Sequence, residues 1–129
     1  NNADITEFDS LRNIETLERI YLSHNNISNI PDLSSIDSLE VLDLDNNQIT
    51  DINGLSKMSY IGKLDLYKNK LNDDEQSGDK YVLDPIDPAK TNLKISEVYL
   101  AENTDLSGEN SQDVISNLED NGTKVWYWE

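Results

Sequence analysis

Asp43, Asp45 and Asp65 come nearest, by type and spacing, to residues that could do chemistry. Asp43-Leu44-Asp45-Asn46-Asn47 places oxygen ligands at alternate positions, as the opening of a calcium loop does. That loop then needs Gly at its sixth position and Glu at its twelfth. The chain has Gln48 and Gly54 there, so the EF-hand template fails. Asp43 and Asp65, held ~5 Å apart on neighbouring strands, could imitate the carboxylate pair of a retaining glycosidase. Such a pair needs a cleft that raises one pKa, and a shallow face of stacked strands supplies none. His24 is the single histidine, which excludes multi-histidine metal sites. It adjoins Ser23, but neighbours in sequence are not a catalytic pair, and a histidine in that place reads as an ordinary surface residue. With no cysteine there is no disulfide, zinc-thiolate site or thiol nucleophile. No glycine-rich phosphate loop occurs. Asn26-Ile27-Ser28 and Asn121-Gly122-Thr123 match the glycosylation sequon. The expectation is of no enzyme, no catalytic residue, no metal site and no cofactor.

The aspartates belong to a repeat. Leu17-Glu-Arg-Ile20-Tyr-Leu22-Ser-His-Asn25-Asn-Ile27, Leu39-Glu-Val-Leu42-Asp-Leu44-Asp-Asn-Asn47-Gln-Ile49 and Ile61-Gly-Lys-Leu64-Asp-Leu66-Tyr-Lys-Asn69-Lys-Leu71 align without gaps, starting 22 residues apart. A fourth copy, Ile95-Ser-Glu-Val98-Tyr-Leu100-Ala-Glu-Asn103, starts 34 residues after the third. Beyond position 11 apolar residues recur three apart: Ile27, Ile30, Leu33, Ile36, then Ile49, Ile52, Leu55, Met58. Ile5, Phe8, Leu11 and Ile14 share that spacing, so the chain opens inside a repeat. Counting back from Ile95, Ile86 and Ala89 take the same places, with Leu93 standing in for Asn92. The excess of repeat three is then 12 residues, Asp74 to Pro85, expected as a polar loop with Tyr81, Val82 and Leu83 docked on the flank. Each unit is a short strand and a turn-rich return that cannot bury its own apolar residues. Stacking makes a continuous core, with parallel strands ~4.8 Å apart. The Asn at position 9 can satisfy the backbone of the turn after the strand, where an aliphatic residue could not.

A 22-residue LxxLxLxxNxL unit with an Ile-x-x-Leu return resembles the bacterial internalin-type leucine-rich repeats, and the related phosphatase-regulatory-subunit type, over roughly residues 3 to 106. Val114-Ile-Ser-Asn-Leu-Glu-Asp-Asn-Gly-Thr-Lys-Val-Trp-Tyr127 looks like the closing helix and strand of many bacterial repeat proteins. The expected fold is an α/β solenoid: a curved right-handed coil with a parallel β-sheet on its concave face, mostly turns and 3-10 segments on the convex side, and a C-terminal helix and strand cap. Strands are expected near 19–23, 41–45, 63–67, 97–101 and 124–128. One domain, 1–129, divides into a partial repeat 1–16, repeats 17–38, 39–60, 61–94 with the insertion 74–85, and 95–110, and a cap 111–129. Asn110 or Ser111 is expected to cap the helix, Val114, Ile115 and Leu118 to share its buried face, and Gly122 to suit its exit. The start, Asn1-Asn2-Ala3, looks like a processed start or a cut from something longer.

Side chains alternate along a strand, so positions 4 and 6 face the core and positions 3, 5 and 7 the open side. Row 3 reads Arg19, Val41, Lys63, Glu97, Lys124. Row 5 reads Tyr21, Asp43, Asp65, Tyr99, Trp126, and row 7 Ser23, Asp45, Tyr67, Ala101, Trp128. Five of nine aromatic residues fall on these rows, where they suit interface anchors or, more plainly, end-cap packing and gap filling. Asp43 and Asp65 side by side would repel unless a cation, a basic partner, or Lys63 and Lys68 relieved them. A net charge of −16, from 26 acidic against 10 basic residues, argues against nucleic acid and anionic membranes as partners. No apolar run approaches the ~20 residues of a membrane span. The resemblance implies a protein-binding module with a partner, conceivably basic, on Tyr21, Asp43, Asp45, Asp65, Tyr67, Tyr99, Trp126 and Trp128. It also implies a monomer from a bacterial surface or secreted protein, although a cysteine-free chain equally suits the cytoplasm. A carbohydrate or cell-wall binder stacking sugars on Tyr and Trp, or a structural spacer, are the alternatives.

Overall fold

A computed structural model describes residues 18–30, 32, 33, 36–73 and 81–127. The partial repeat 1–16, Leu17, residues 74–80 of the insertion, and Trp128 lie outside these residues. Five strands, β1 (Arg19–Tyr21), β2 (Ser38–Asp43), β3 (Tyr60–Asp65), β4 (Lys94–Tyr99) and β5 (Lys124–Trp126), form one parallel sheet in chain order. Register repeats at every step: Ile20, Leu42, Leu64, Val98 and Val125 pair in succession. Leu22, Leu44, Leu66 and Leu100, two residues further on, are all buried.

Strand limits differ from expectation at both ends. β2, β3 and β4 begin three residues early, and their pairing steps over Glu40, Gly62 and Ser96. Glu40 and Val41 both donate to the Glu18 carbonyl, at 2.7 and 3.3 Å, so regular pairing lapses at position 2 without any change of register. At the other end the strands stop at position 5. Parallel backbone bonds nonetheless continue, from Leu44 N–H to Asp65 at 2.9 Å and from Asn46 N–H to Tyr67 at 2.9 Å. Position 8 then turns the chain away with positive φ in every repeat: His24 56°, Asn46 55°, Lys68 54° and Glu102 55°. For side chains other than Gly that conformation costs ~1 kcal/mol, so something must hold it.

The asparagine that follows holds it. Asn47 Nδ2 donates to Leu44 of its own repeat at 3.0 Å and to Leu22 of the preceding one at 2.9 Å, while its Oδ1 accepts from Ile27 N–H at 3.1 Å. Asn69 and Asn103 repeat the pattern. The turn carbonyls are buried, and only a side chain with donors and an acceptor at one end satisfies both neighbours.

The excess of repeat three is split. Leu83 precedes and Ile86 closes a 3-10 turn, Asp84–Ile86, that packs against the equivalent turn Asn53–Leu55 of repeat two. Both are fully buried and take the places of Ile52 and Leu55. Leu71 and Leu83 stand twelve apart where Ile49 and Ile52 stand three apart, and Ile86 and Ile95 nine apart where Leu55 and Ile61 stand six apart. Nine residues are therefore added before the turn and three after it. Val82, Leu83 and Pro85 belong to the core, not to a polar loop over 74–85, and Ala89 is exposed. The apolar spacing of three recurs at Leu83–Ile86, which counting back from Ile95 displaces by one step.

Helix α1 (Glu109–Asp120) buries Val114, Ile115 and Leu118 against the end of the stack. Its N-cap is Gly108, not Asn110 or Ser111, and the capping oxygens come from Asp73. That carboxylate accepts from Gly108 N–H at 2.5 Å and from the Ser111 hydroxyl. A Cβ on Gly108 would lie 2.6 Å from Asp73 Oδ2, so a larger residue would push this carboxylate aside. Gly122 leaves the helix with φ +90°, a left-handed exit.

Candidate functional site

Row 5 is realised in the register itself: Tyr21, Asp43, Asp65, Tyr99 and Trp126 pair across all five strands. Arg19, Val41, Lys63, Glu97 and Lys124 do the same in row 3. In row 7 Asp45 and Tyr67 reach the same open face, half-buried. Ser23 is buried instead of exposed. Trp128 lies outside the described residues. Tyr21 is the most open of the group, at 55 % exposure. Tyr127, on the inward-facing alternation, packs against the core and accepts a hydrogen bond from Gln112 of α1 at 2.5 Å.

At the centre of the face one carboxylate oxygen each from Asp43, Asp45 and Asp65 lies within 4.8 Å of the others. Asp43 accepts from Asp45 N–H at 3.3 Å and Asp65 from Tyr67 N–H at 3.1 Å, so each aspartate is fixed by its own turn. Partial burial, then the Asp45 carboxylate, pushes the Asp43 carboxyl up to about 6. Burial also raises Asp65. In Asp45 burial pulls upward, but hydrogen bonds from Asp43 and Asn46 and the charges of His24 and Lys63 outweigh it and hold this carboxyl low. Of the two, Asp43 is the one pushed toward its protonated form. Three such oxygens fall short of the six to eight that calcium takes. His24 Nε2 stands 3.9 Å from Asp45 Oδ2, a loose pair on the rim and not a base beside a nucleophile.

Towards β5 the face turns aromatic. Tyr99 and Trp126 stack with ring centres 4.5 Å apart and planes at 13°. Lys63, one strand further in, holds its ammonium 5.1 Å from the Tyr99 centre. Strand order puts it on the ring face away from Trp126, so both faces of Tyr99 are engaged. Tyr67 donates to Glu102, and Lys68 sits 5.5 Å from the Tyr67 ring. The sequence rows named Lys63, Tyr67, Tyr99 and Trp126. The stack and the Lys63 contact had no signal, because they depend on side-chain rotamers and not on register.

Residues 15–57 match the family model described as Leucine Rich repeats (2 copies). No curated protein and no solved structure matches the chain significantly. The match supports a leucine-rich-repeat protein, and the parallel five-stranded sheet agrees with a solenoid of that kind. Leucine-rich repeats are typically non-enzymatic and commonly serve protein–protein interaction. Among the described residues no helix is long and apolar enough to cross a membrane.

Proposed function

We propose that the open face of the sheet, the concave side of a right-handed internalin-like solenoid, binds a protein partner bearing a basic patch, in a bacterial surface-displayed or secreted protein. The observation that carries this reading is the joining, in one row, of an acidic centre to an aromatic flank: Asp43 and Asp65 continue into Tyr99 and Trp126. Aromatic side chains immobilise cheaply and bury large area, and so act as anchors. Carboxylates that repel one another gain most when a cationic side chain arrives, and they steer its approach. Sugar stacking is disfavoured by the same geometry, since Tyr99 has no free ring face.

The test is interferometry of the immobilised chain against a panel of basic and neutral proteins. A basic binder is expected, with affinity falling as salt rises. Tyr67→Ala and Trp126→Ala should speed its dissociation about tenfold or more, each anchor carrying ~2 kcal/mol. Asp65→Asn should slow association at low salt. Asp32→Ala, on an exposed stretch between β1 and β2, should change nothing. Binding lost in Asp32→Ala but kept in Tyr67→Ala and Trp126→Ala would place the partner elsewhere.

A further inference from the structure

A second concavity opens at the opposite, upstream end of the strands. β5 begins opposite Glu97, so the first three residues of β4, paired with β3 on one side, have no strand beside them on the other. The turn from α1 into β5 partly fills the step, with the Thr123 hydroxyl donating to the Ile95 carbonyl at 2.5 Å. In front of it lies a cleft of about 480 Å³, lined among others by Tyr60, Lys94, Ser96, Glu97, Gly122 and Lys124. That is the size of a small-ligand site, ~300–1,000 Å³. It shares no residue with the acidic and aromatic rows.

The lining is rich in donors. Lys94 and Lys124 are exposed, and neither joins an ion pair among the described residues, although acidic residues outnumber basic ones 26 to 10 in the chain. The Tyr60 and Ser96 hydroxyls stand 3.1 Å apart. One must donate to the other, which leaves one proton for a ligand. Glu97, the sole carboxylate of the lining, already accepts from the Tyr99 hydroxyl at 3.1 Å. The rest of the acidic surface is damped beyond ~8 Å at physiological salt, so the local lysines dominate inside the cleft.

We infer that this cleft binds an extended acidic peptide segment, one carboxylate meeting Lys94 and a second meeting Lys124. Lys94 stands opposite Tyr60 and Lys124 opposite Glu97, three residues or ~10 Å apart along the strand direction. Alternate acidic side chains of an extended peptide, ~7 Å apart at the backbone and flexible beyond it, can give each ammonium group a carboxylate of its own. The site thus lies upstream of rows 5 and 7, sharing only the row 3 residues Glu97 and Lys124 with the open face, and is opposite in charge preference.

The experiment is a titration of the isotope-labelled chain, followed by amide resonances at about 0.15 M salt, with a capped hexapeptide alternating glutamate and serine. Resonances of residues 94–97 and 121–124 should move. The double variant Lys94→Ala, Lys124→Ala should weaken binding about tenfold with its spectrum otherwise folded, and Tyr67→Ala should leave binding unchanged. The inference is overturned if no resonances move, if a lysine–serine hexapeptide moves them equally, if inorganic phosphate saturates them at the same concentration, or if the double variant binds as the wild type does.

Discussion

Asn47 serves two repeats at once, and its removal orphans the Ile27 N–H and takes one of two asparagine donors from each of the Leu22 and Leu44 carbonyls, which keep Asn25 and Asn69. Asn47→Ala should therefore cost ~1–3 kcal/mol in urea melts. The serine variant should not rescue it, because a hydroxyl cannot reach both carbonyls. Asp43 makes a different kind of prediction. Its carboxyl titrates at about 6 in the fold against an ordinary value of 3.8, so ionising it costs the folded state. The stability tied to this group is fully present below about pH 4 and is lost as pH rises through 6. Asp43→Asn should leave stability unchanged near pH 4 and raise it at pH 7 by ~1 kcal/mol, a figure reduced for solvent screening. Chemical melts at the two pH values check this. A basic partner should also bind more weakly below pH 6, where Asp43 is protonated.

At the scale of elements, the 3-10 turn of repeat three makes the sharpest test. If Leu83 replaces Ile52 in the core, Leu83→Ala should cost ~2–5 kcal/mol, as a buried leucine in a regular repeat does. A residue of a polar surface loop would cost almost nothing. Asp73→Ala should lower the helical circular dichroism of α1 and cost ~1 kcal/mol by stripping its cap. These elements also mark what could be read without coordinates. Row 5 was legible because the Leu and Asn columns fix register, and register fixes which side chains lie abreast. The lapse in pairing at position 2 was not, since it carries no residue signature: Glu40, Gly62 and Ser96 share nothing. Nor was the cap on α1, because Asp73 and Gly108 meet across 35 residues of chain and no local pattern foretells it. The split excess was half legible. The spacing of three at Leu83 and Ile86 was present, but a count taken back from Ile95 assumes a return of fixed length.

For the whole molecule, charge is arranged along the strand direction: aspartates gather at the downstream end of the open face, and two lysines, without an ion pair among the described residues, stand upstream beside β5. Salt should weaken a basic ligand downstream and an acidic one upstream alike. A single partner covering both would need the reverse polarity along its own length. Repeat three also reaches past repeat four. Asp73 holds Gly108 and Ser111, and Asp87 accepts from Asn117 at 3.1 Å. A chain of stacked repeats ordinarily frays from its last unit inward, each unit opening on its own. Here the fourth repeat lies bracketed between a helix and the repeat before it, so it cannot open without releasing both. Native-state hydrogen exchange should find β4, α1 and the third return opening with one common free energy, as a single unit of cooperation spanning residues 81–127.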